Sequence, residues 1–237
     1  MRPRDVWLAY WRLMRRWHRY EVSGLENLDG GPALIVGYHG RPIAHDLCML
    51  TVEVFERHGY LPHGIIHGAF GHRPRLKAFI DDLGFVTGDG PELSAAVERG
   101  EHVLVAPGGT REGCRSARHR YRVAFGRRTG YVKLAARLRI PIVPVAADGV
   151  DDTFIGLNDG HWLGERVKMP LGLPVWFGAG PLGLWPLSPP FPVRIRQRIG
   201  QPIPPPETND PDAVVHTHQR VMQAVQDLLD TSRGAAT

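Results

Sequence analysis

Apolar residues along this chain fall into two spacings, short unbroken runs and helical repeats, and their alternation predicts strands interleaved with helices. Ala33 to Val36 is an unbroken apolar run that stops at the turn "GYHG". Beyond it Leu47, Leu50, Val54 and Phe55 recur at helical intervals up to Gly59, with Asp46 near the start. "HGIIHGAF" reads as a second strand and "PRLKAFIDDLG" as a helix ending at Gly84. "PELSAAVERGE" is a short helix with Pro91 near its start and Gly100 after its end. "HVLVAPGGTREG" is a buried strand running into a glycine turn, "GRRTGYVKLAARLRI" another helix and "PIVPVAAD" another strand. The order predicts an α/β fold, a single domain with a largely parallel central sheet flanked by helices.

The two ends have a different texture. In "DVWLAYWRLMRRWHRY", residues 5–20, Val6, Trp7, Tyr10, Trp11, Leu13, Met14 and Trp17 stand mostly at i, i+3, i+4 spacing with Arg12, Arg15, Arg16 and Arg19 between them. This predicts an amphipathic basic helix, taken as residues 1–22, suited to a membrane surface where indoles sit half wet and arginines meet lipid phosphates. The alternative is a helix packed on the body with its arginines solvated. From about residue 157 to 206 glycine and proline crowd around "PLGLPVWFGAGPLGLWPLSPPFP", which predicts an apolar excursion with short strands at Pro174 to Phe177 and Val193 to Ile199. It reads as a second membrane-facing or acyl-facing surface, or as irregular packing over the core. Residues 211–230 form an amphipathic helix, and "TSRGAAT" a frayed tail.

At 237 residues, 43% of them hydrophobic and 22% charged, the chain is long enough for one substantial core and too apolar for wholesale disorder. Its net charge of +5 suits nucleic acid, anionic lipid or an acidic small molecule alike. No nucleic-acid module is evident and the basic residues of the first helix alternate with tryptophans, so nucleic acid is not the expected partner. Cys48 and Cys114, far apart and outside any CxxC spacing, predict a reducing compartment. No window approaches the roughly 20 apolar residues of a membrane span. The expected association is therefore peripheral.

Two stretches carry candidate chemistry. In "GYHGRPIAHDLCML" a histidine, His39, sits in a glycine-flanked turn with a carboxylate, Asp46, after it. A histidine held by a carboxylate can take a proton from a hydroxyl, because the carboxylate fixes the tautomer and stabilises the imidazolium. In "VAPGGTREG" Pro107, Gly108 and Gly109 follow a hydrophobic strand, so backbone can approach an anionic or carbonyl group closely. Thr110, Arg111 and Glu112 then offer a hydroxyl, a bidentate anion donor and a carboxylate.

Taken together, the Gly-Tyr-His-Gly turn with its Asp, the Pro-Gly-Gly-Thr-Arg-Glu block and "GYVKLAARLRIPIVPVAADG", in this order over residues 24–154, resemble the glycerolipid and lysophospholipid (PlsC-like) acyltransferases. The resemblance is nearest to the branch of diacylglycerol acyltransferase-like proteins. It implies an acyltransferase domain over 23–237 that moves a fatty acyl group from a thioester, acyl-CoA or acyl carrier protein, to a lipid hydroxyl. It implies no metal and no cofactor beyond that co-substrate, and a place at the cytoplasmic face of a membrane. His39 would be the general base and Asp46 its orienting partner. Gly108, Gly109, Thr110, Arg111 and Glu112 would form the acceptor- or phosphate-binding block, with Arg73, Arg75 and Lys77 as further anion contacts, and "PIVP", Pro141 to Pro144, would be a structural strand block.

One departure stands out. Six residues, Gly40 to His45, separate His39 from Asp46, more than the family has. In a helix two extra residues would turn Asp46 by about 200°, whereas Gly40 and Pro42 favour a loop that absorbs them. His45 is the substitute partner. The enlarged gap is also the support for a second reading, a lipid-binding relative without activity. A third, a metal-dependent hydrolase, rests on His39, His45, Asp46, His63, His67 and His72 within one short stretch.

Overall fold

The computed structural model describes residues 2–66, 74–88, 90–169, 172–208 and 210–234. In chain order its strands are β1 (Glu21–Ser23), β2 (Leu34–Gly37), β3 (His63–Ile66), β4 (Val86–Thr87), β5 (Val103–Val105), β6 (Ile142–Asp148), β7 (Ile155–Gly156), β8 (Gly178–Gly180), β9 (Gly183–Leu184) and β10 (Arg196–Ile199). Its helices are α1 (Pro3–Trp17), α2 (Arg41–His58), α3 (Pro74–Asp82), α4 (Pro91–Glu98), α5 (Thr110–Gly113), α6 (Gly130–Leu138), α7 (Gly160–Arg166) and α8 (Pro211–Gly234).

The main sheet runs β1-β10-β6-β2-β5-β3-β4, parallel throughout except that β10 lies antiparallel to β6. Its central strands are continuous apolar runs because both faces are covered, as parallel strands require. Leu34 and Val36 of β2 join a core with Val132 of α6 and Val221 and Val225 of α8, while Ile35 points the other way to Leu47, Leu50 and Val54 of α2. β2 has β5 on one side and β6 on the other, in registers Val36 to Val105 and Val36 to Pro144. The carboxyl ends of β2 and β5 therefore lie side by side, and the two candidate stretches leave the sheet there. That edge is where open α/β sheets bind ligands.

α1 packs inward. Leu8 and Trp11 are buried, the Trp7 indole N–H donates to Thr51 Oγ1 of α2 at 2.9 Å, and Arg12 and Arg15 pair with Glu56 and Glu53 of the same helix. The face left to solvent is Val6, Tyr10, Leu13 and Trp17.

The strand expected at Pro174 to Phe177 does not form. Its amides are spent on loops, Val175 N–H on the Gly160 carbonyl and Phe177 N–H on Asn158 Oδ1. The excursion instead builds a small antiparallel sheet, β7-β8-β9. α7, which the apolar spacing does not announce, starts where Asp159 Oδ1 accepts the amides of His161 and Trp162. No described helix is long and apolar enough to cross a membrane.

Candidate functional site

His39 stands two residues beyond β2 and opens the turn into α2. The six-residue gap is absorbed neither as a loop nor as continuous helix. α2 begins at Arg41, breaks at Ile43 (φ −122°, ψ 34°) and Ala44 (φ 53°, ψ 53°), and resumes. Ala44 is held in the left-handed region, which costs an alanine on the order of 1–2 kcal/mol, by its N–H on the Gly40 carbonyl at 2.8 Å. The break aims Asp46 into the protein, where it is 0% exposed with Oδ1 2.7 Å from where a Cβ on Gly40 would stand.

The His39 ring is half-buried. Its Nδ1 has no hydrogen-bond partner and lies against Gly113, 2.6 Å from where a Cβ there would stand, so that only glycine leaves room for the ring. Burial pulls the imidazole pKa down to about 4, leaving it neutral and able to accept a proton at neutral pH. Asp46 does not hydrogen-bond to it. The amides of Leu47, Asp46 and Gly40 lower the Asp46 pKa without closing a hydrogen bond of ordinary geometry, and burial prevails, raising it to about 7. His45 turns into the core, its Nδ1 2.9 Å from the Arg41 carbonyl and its ring against Trp11 and Phe154.

The glycine block does something the sequence does not announce. Glu112, expected to face the acceptor, is 0% exposed and accepts the His39 N–H on Oε2 (2.9 Å) and the Ala124 N–H on Oε1 (2.5 Å). It is a staple between the two motifs, and its burial raises its pKa to about 8. Gly108 lies beneath it, and a Cβ there would collide with the Glu112 carboxyl group. Arg128 caps the turn, donating to the Pro107 and Gly108 carbonyls at 2.7 and 2.6 Å. Thr110 Oγ1 meets His161 Nε2 at 3.0 Å, and Arg111 is exposed with Glu165 3.9 Å away. Arg73 lies outside the described residues, as does the side chain of Arg75, while Lys77 is paired with Asp81 on the surface of α3.

Behind His39 lies a buried network built on Asp151. Asp151 Oδ2 accepts the Tyr38 hydroxyl (2.5 Å) and the Tyr121 N–H (2.7 Å), with the Arg115 guanidinium 3.7 Å off and Arg41 Nε 4.0 Å from Oδ1. Arg41 spends its remaining donors on the carbonyls of Asp151, Phe154 and Ser116. The residues flanking His39 in the chain, Tyr38 and Arg41, are thus locked from a segment 113 positions away from Tyr38. Glu112, Arg128, His161 and Asp151 acquire these roles only through contacts distant in sequence. The one signal they carry is that each is a polar residue near a motif. Beyond Arg41 a cavity of about 410 Å³ opens between Phe154, Ile155 and Phe191.

Of the histidines weighed for a metal, His63 is bonded to the Gly84 carbonyl and to Glu101, and His67 and His72 lie outside the described residues. Among the described residues no three His, Cys, Asp or Glu side chains converge as metal ligands would.

Comparison with known proteins adds to this geometry. The family model described as acyltransferase matches residues 19–148, and that described as diacylglycerol acyltransferase matches residues 91–235. A Gallus gallus protein named "DGAT1/2-independent enzyme synthesizing storage lipids" is 33% identical over 211 residues, covering 84% of this chain and 59% of its own length. The Homo sapiens protein of that name is 27% identical over 219 residues, with 90% and 62% covered. An uncharacterized Mycobacterium tuberculosis protein is 28% identical over 240 residues, with 91% and 62% covered. The chain spans less than two thirds of the length of these relatives. Among solved structures, the 1-acyl-sn-glycerophosphate acyltransferase PlsC from Thermotoga maritima superposes with a TM-score of 0.57 at 15% identity, covering 94% of this chain and 78% of that one. This last likeness is one of fold.

Proposed function

The chain belongs to the acyltransferase family, and from that premise and the geometry of the His39 turn we propose that it moves a fatty acyl group from a coenzyme A or carrier-protein thioester to the hydroxyl of a glycerolipid or lysophospholipid. The observation that carries the reading is a histidine at the carboxyl end of the central strand, its backbone N–H fastened by Glu112 to the glycine block that leaves the neighbouring strand.

His39 takes the proton of the acceptor hydroxyl, whose oxygen attacks the thioester carbonyl. The backbone N–H groups of Gly108 and Thr110 hold the oxyanion as it forms. The C–S bond then breaks, the thiolate takes the proton back from the imidazolium, and ester and thiol leave. Asp46 is the carboxylate available to orient the ring, buried next to Gly40 with both oxygens uncommitted. Arg111, exposed on α5, is the donor for an anionic substrate group. The name of the relatives that synthesise storage lipids favours a neutral glycerolipid as acceptor. On this reading the protein works at the cytoplasmic surface of a membrane, with the exposed face of α1 against lipid.

His39→Ala should cut acyl transfer by roughly 100- to 10,000-fold with an unchanged melting temperature, measured with purified protein, an acyl thioester and a panel of lipid hydroxyls. Undiminished turnover would remove His39 from the chemistry. The open Asp46 favours one other reading, a lipid-binding relative without activity. Parent protein that consumes no thioester with any acceptor would establish it.

A further inference from the structure

The excursion after β6 reverses the usual sense of a half-buried sheet. Gly156 and Gly178, paired across β7 and β8, lie on the inner face, where a Cβ would collide with the Arg115 carbonyl or the Trp176 ring. The residues that alternate with them, Ile155, Ala179 and Leu184, are in register across all three strands and so share the outer face. Ile155 and Leu184 are exposed there. A soluble sheet places polar residues outside and apolar ones inside. Here glycine is inside and aliphatic carbon is outside.

The tip is more exposed still and is firmly built. Leu182 and Leu187 are 81% and 93% exposed, on a loop closed by Leu182 N–H to Ser188 Oγ (3.0 Å), Leu187 N–H to the Leu184 carbonyl (2.9 Å) and Trp185 N–H to the Gly178 carbonyl (2.8 Å). From Met169 to Val193 the sequence holds no Asp, Glu, Lys, Arg or His. Cations stand at its near border. Arg166 lies over the exposed Trp162 ring at 5.7 Å and Lys168 follows it, neither with a carboxylate partner among the described residues.

We propose that this glycine-backed sheet and its leucine tip enter a lipid layer, with Leu182 and Leu187 reaching deepest and Trp162, Arg166 and Lys168 at the level of anionic headgroups. The proposal rests on the acyltransferase reading for its purpose and on the exposed surface for its occupant. A protein partner would need hydrogen bonds, about one per 100–200 Å² of interface, and the hydroxyl on the tip, that of Ser188, is already spent within the loop. Hydrocarbon needs none, and the indole-and-cation rim matches the headgroup region.

The placement serves the candidate site. The excursion is fastened to the segment around α5 by Trp176 Nε1–H to the Arg115 carbonyl (3.1 Å), Gly160 N–H to the Cys114 carbonyl (2.8 Å) and the Thr110–His161 contact. Its far end meets α1, where the Trp17 indole donates to the Pro190 carbonyl at 3.1 Å.

The test is co-sedimentation with phosphatidylcholine–phosphatidylglycerol vesicles of the parent, Leu182→Asp/Leu187→Asp, Arg166→Glu/Lys168→Glu and Leu13→Asp on α1. The leucine pair should lose at least about tenfold in partitioning, given the transfer free energy of two leucine side chains, with an unchanged melting temperature. Turnover of a water-soluble short-chain thioester and acceptor should hold while turnover of vesicle-borne acceptor falls. The cation pair should lose binding only to vesicles containing phosphatidylglycerol and at low salt. Parent-like partitioning of the leucine pair, or loss confined to Leu13→Asp, overturns the proposal. Vesicle binding that behaves as expected in a parent unable to turn over any soluble substrate would sink the acyltransferase reading and leave the lipid surface standing.

Discussion

Glu112 and Asp46 are both fully buried carboxylates beside the His39 turn, yet Glu112 accepts a backbone amide on each oxygen while Asp46 closes no hydrogen bond on either. Burial raises the pKa of both, to about 8 and about 7, and the charge of Asp151 adds to each. Their partners divide their roles. A carboxylate saturated by backbone amides ties chain segments together and is spent in doing so. A buried carboxylate left open weighs against the fold unless something else requires it. The carboxylate expected to touch substrate is the structural one, and the one expected to hold His39 is uncommitted.

The largest effect that would sharpen this division is on catalysis at Asp46. If Asp46 orients the His39 ring in the reacting complex, Asp46→Asn should lower kcat by roughly 100- to 10,000-fold. The melting temperature should stay level or rise, because the substitution removes a buried charge without partners. Steady-state kinetics paired with a thermal melt would read both. A variant as active as its parent would leave Asp46 a buried carboxyl group with no part in the chemistry.

Glu112 should show the opposite signature. Glu112→Ala removes the acceptor of two part-buried hydrogen bonds, those from the His39 and Ala124 amides, at about 1–2 kcal/mol each. A loss of about 2–4 kcal/mol follows, which lowers the melting temperature by roughly 5–15 °C in a domain of this length. Gly108→Ala should act in the same direction by driving the Glu112 carboxyl from its place. Glu112→Gln should recover part of the loss through its remaining carbonyl oxygen. Glu112→Ala with parental stability and a raised KM for the acceptor would restore the substrate-facing role.

Why the partners of these two residues are not legible in the sequence follows from what spacing encodes. The central strands were legible because an unbroken apolar run has one use in a covered parallel sheet, and α8 because Val214, Val221, Val225 and Leu229 recur on one helical face. The adjacency of His39 to the glycine block was legible as motif order, since both end strands. What a carboxylate bonds to was not legible. The Ala124 amide reaches Glu112, and Asp151 reaches Tyr38, only after β2, β5 and β6 align. The left-handed Ala44 that turns Asp46 inward has no side-chain signature, and glycine beneath the β7-β8-β9 sheet reads in sequence as loop.

The smallest effect is the most discriminating, because it separates the two carboxylates by pH alone. Glu112 has an ordinary pKa of 4.5 and a folded value of about 8, so the folded state binds its proton more tightly. Its contribution to stability is complete below pH 4.5 and is lost as pH rises to about 8. Asp46 has the same sign over a lower window, from 3.8 to about 7. His39 runs the other way, its contribution being present above 6.5 and lost as pH falls to about 4. That opposing slope cancels when each variant is subtracted from the parent, since Glu112→Gln and Asp46→Asn both keep His39. The difference in melting temperature, parent minus variant, should therefore decline with pH for both and level off near pH 8 for Glu112→Gln but near pH 7 for Asp46→Asn. Two differences that stay flat across this range would mean that both carboxyl groups titrate at ordinary values, and the contrast between them would then rest on hydrogen bonds alone.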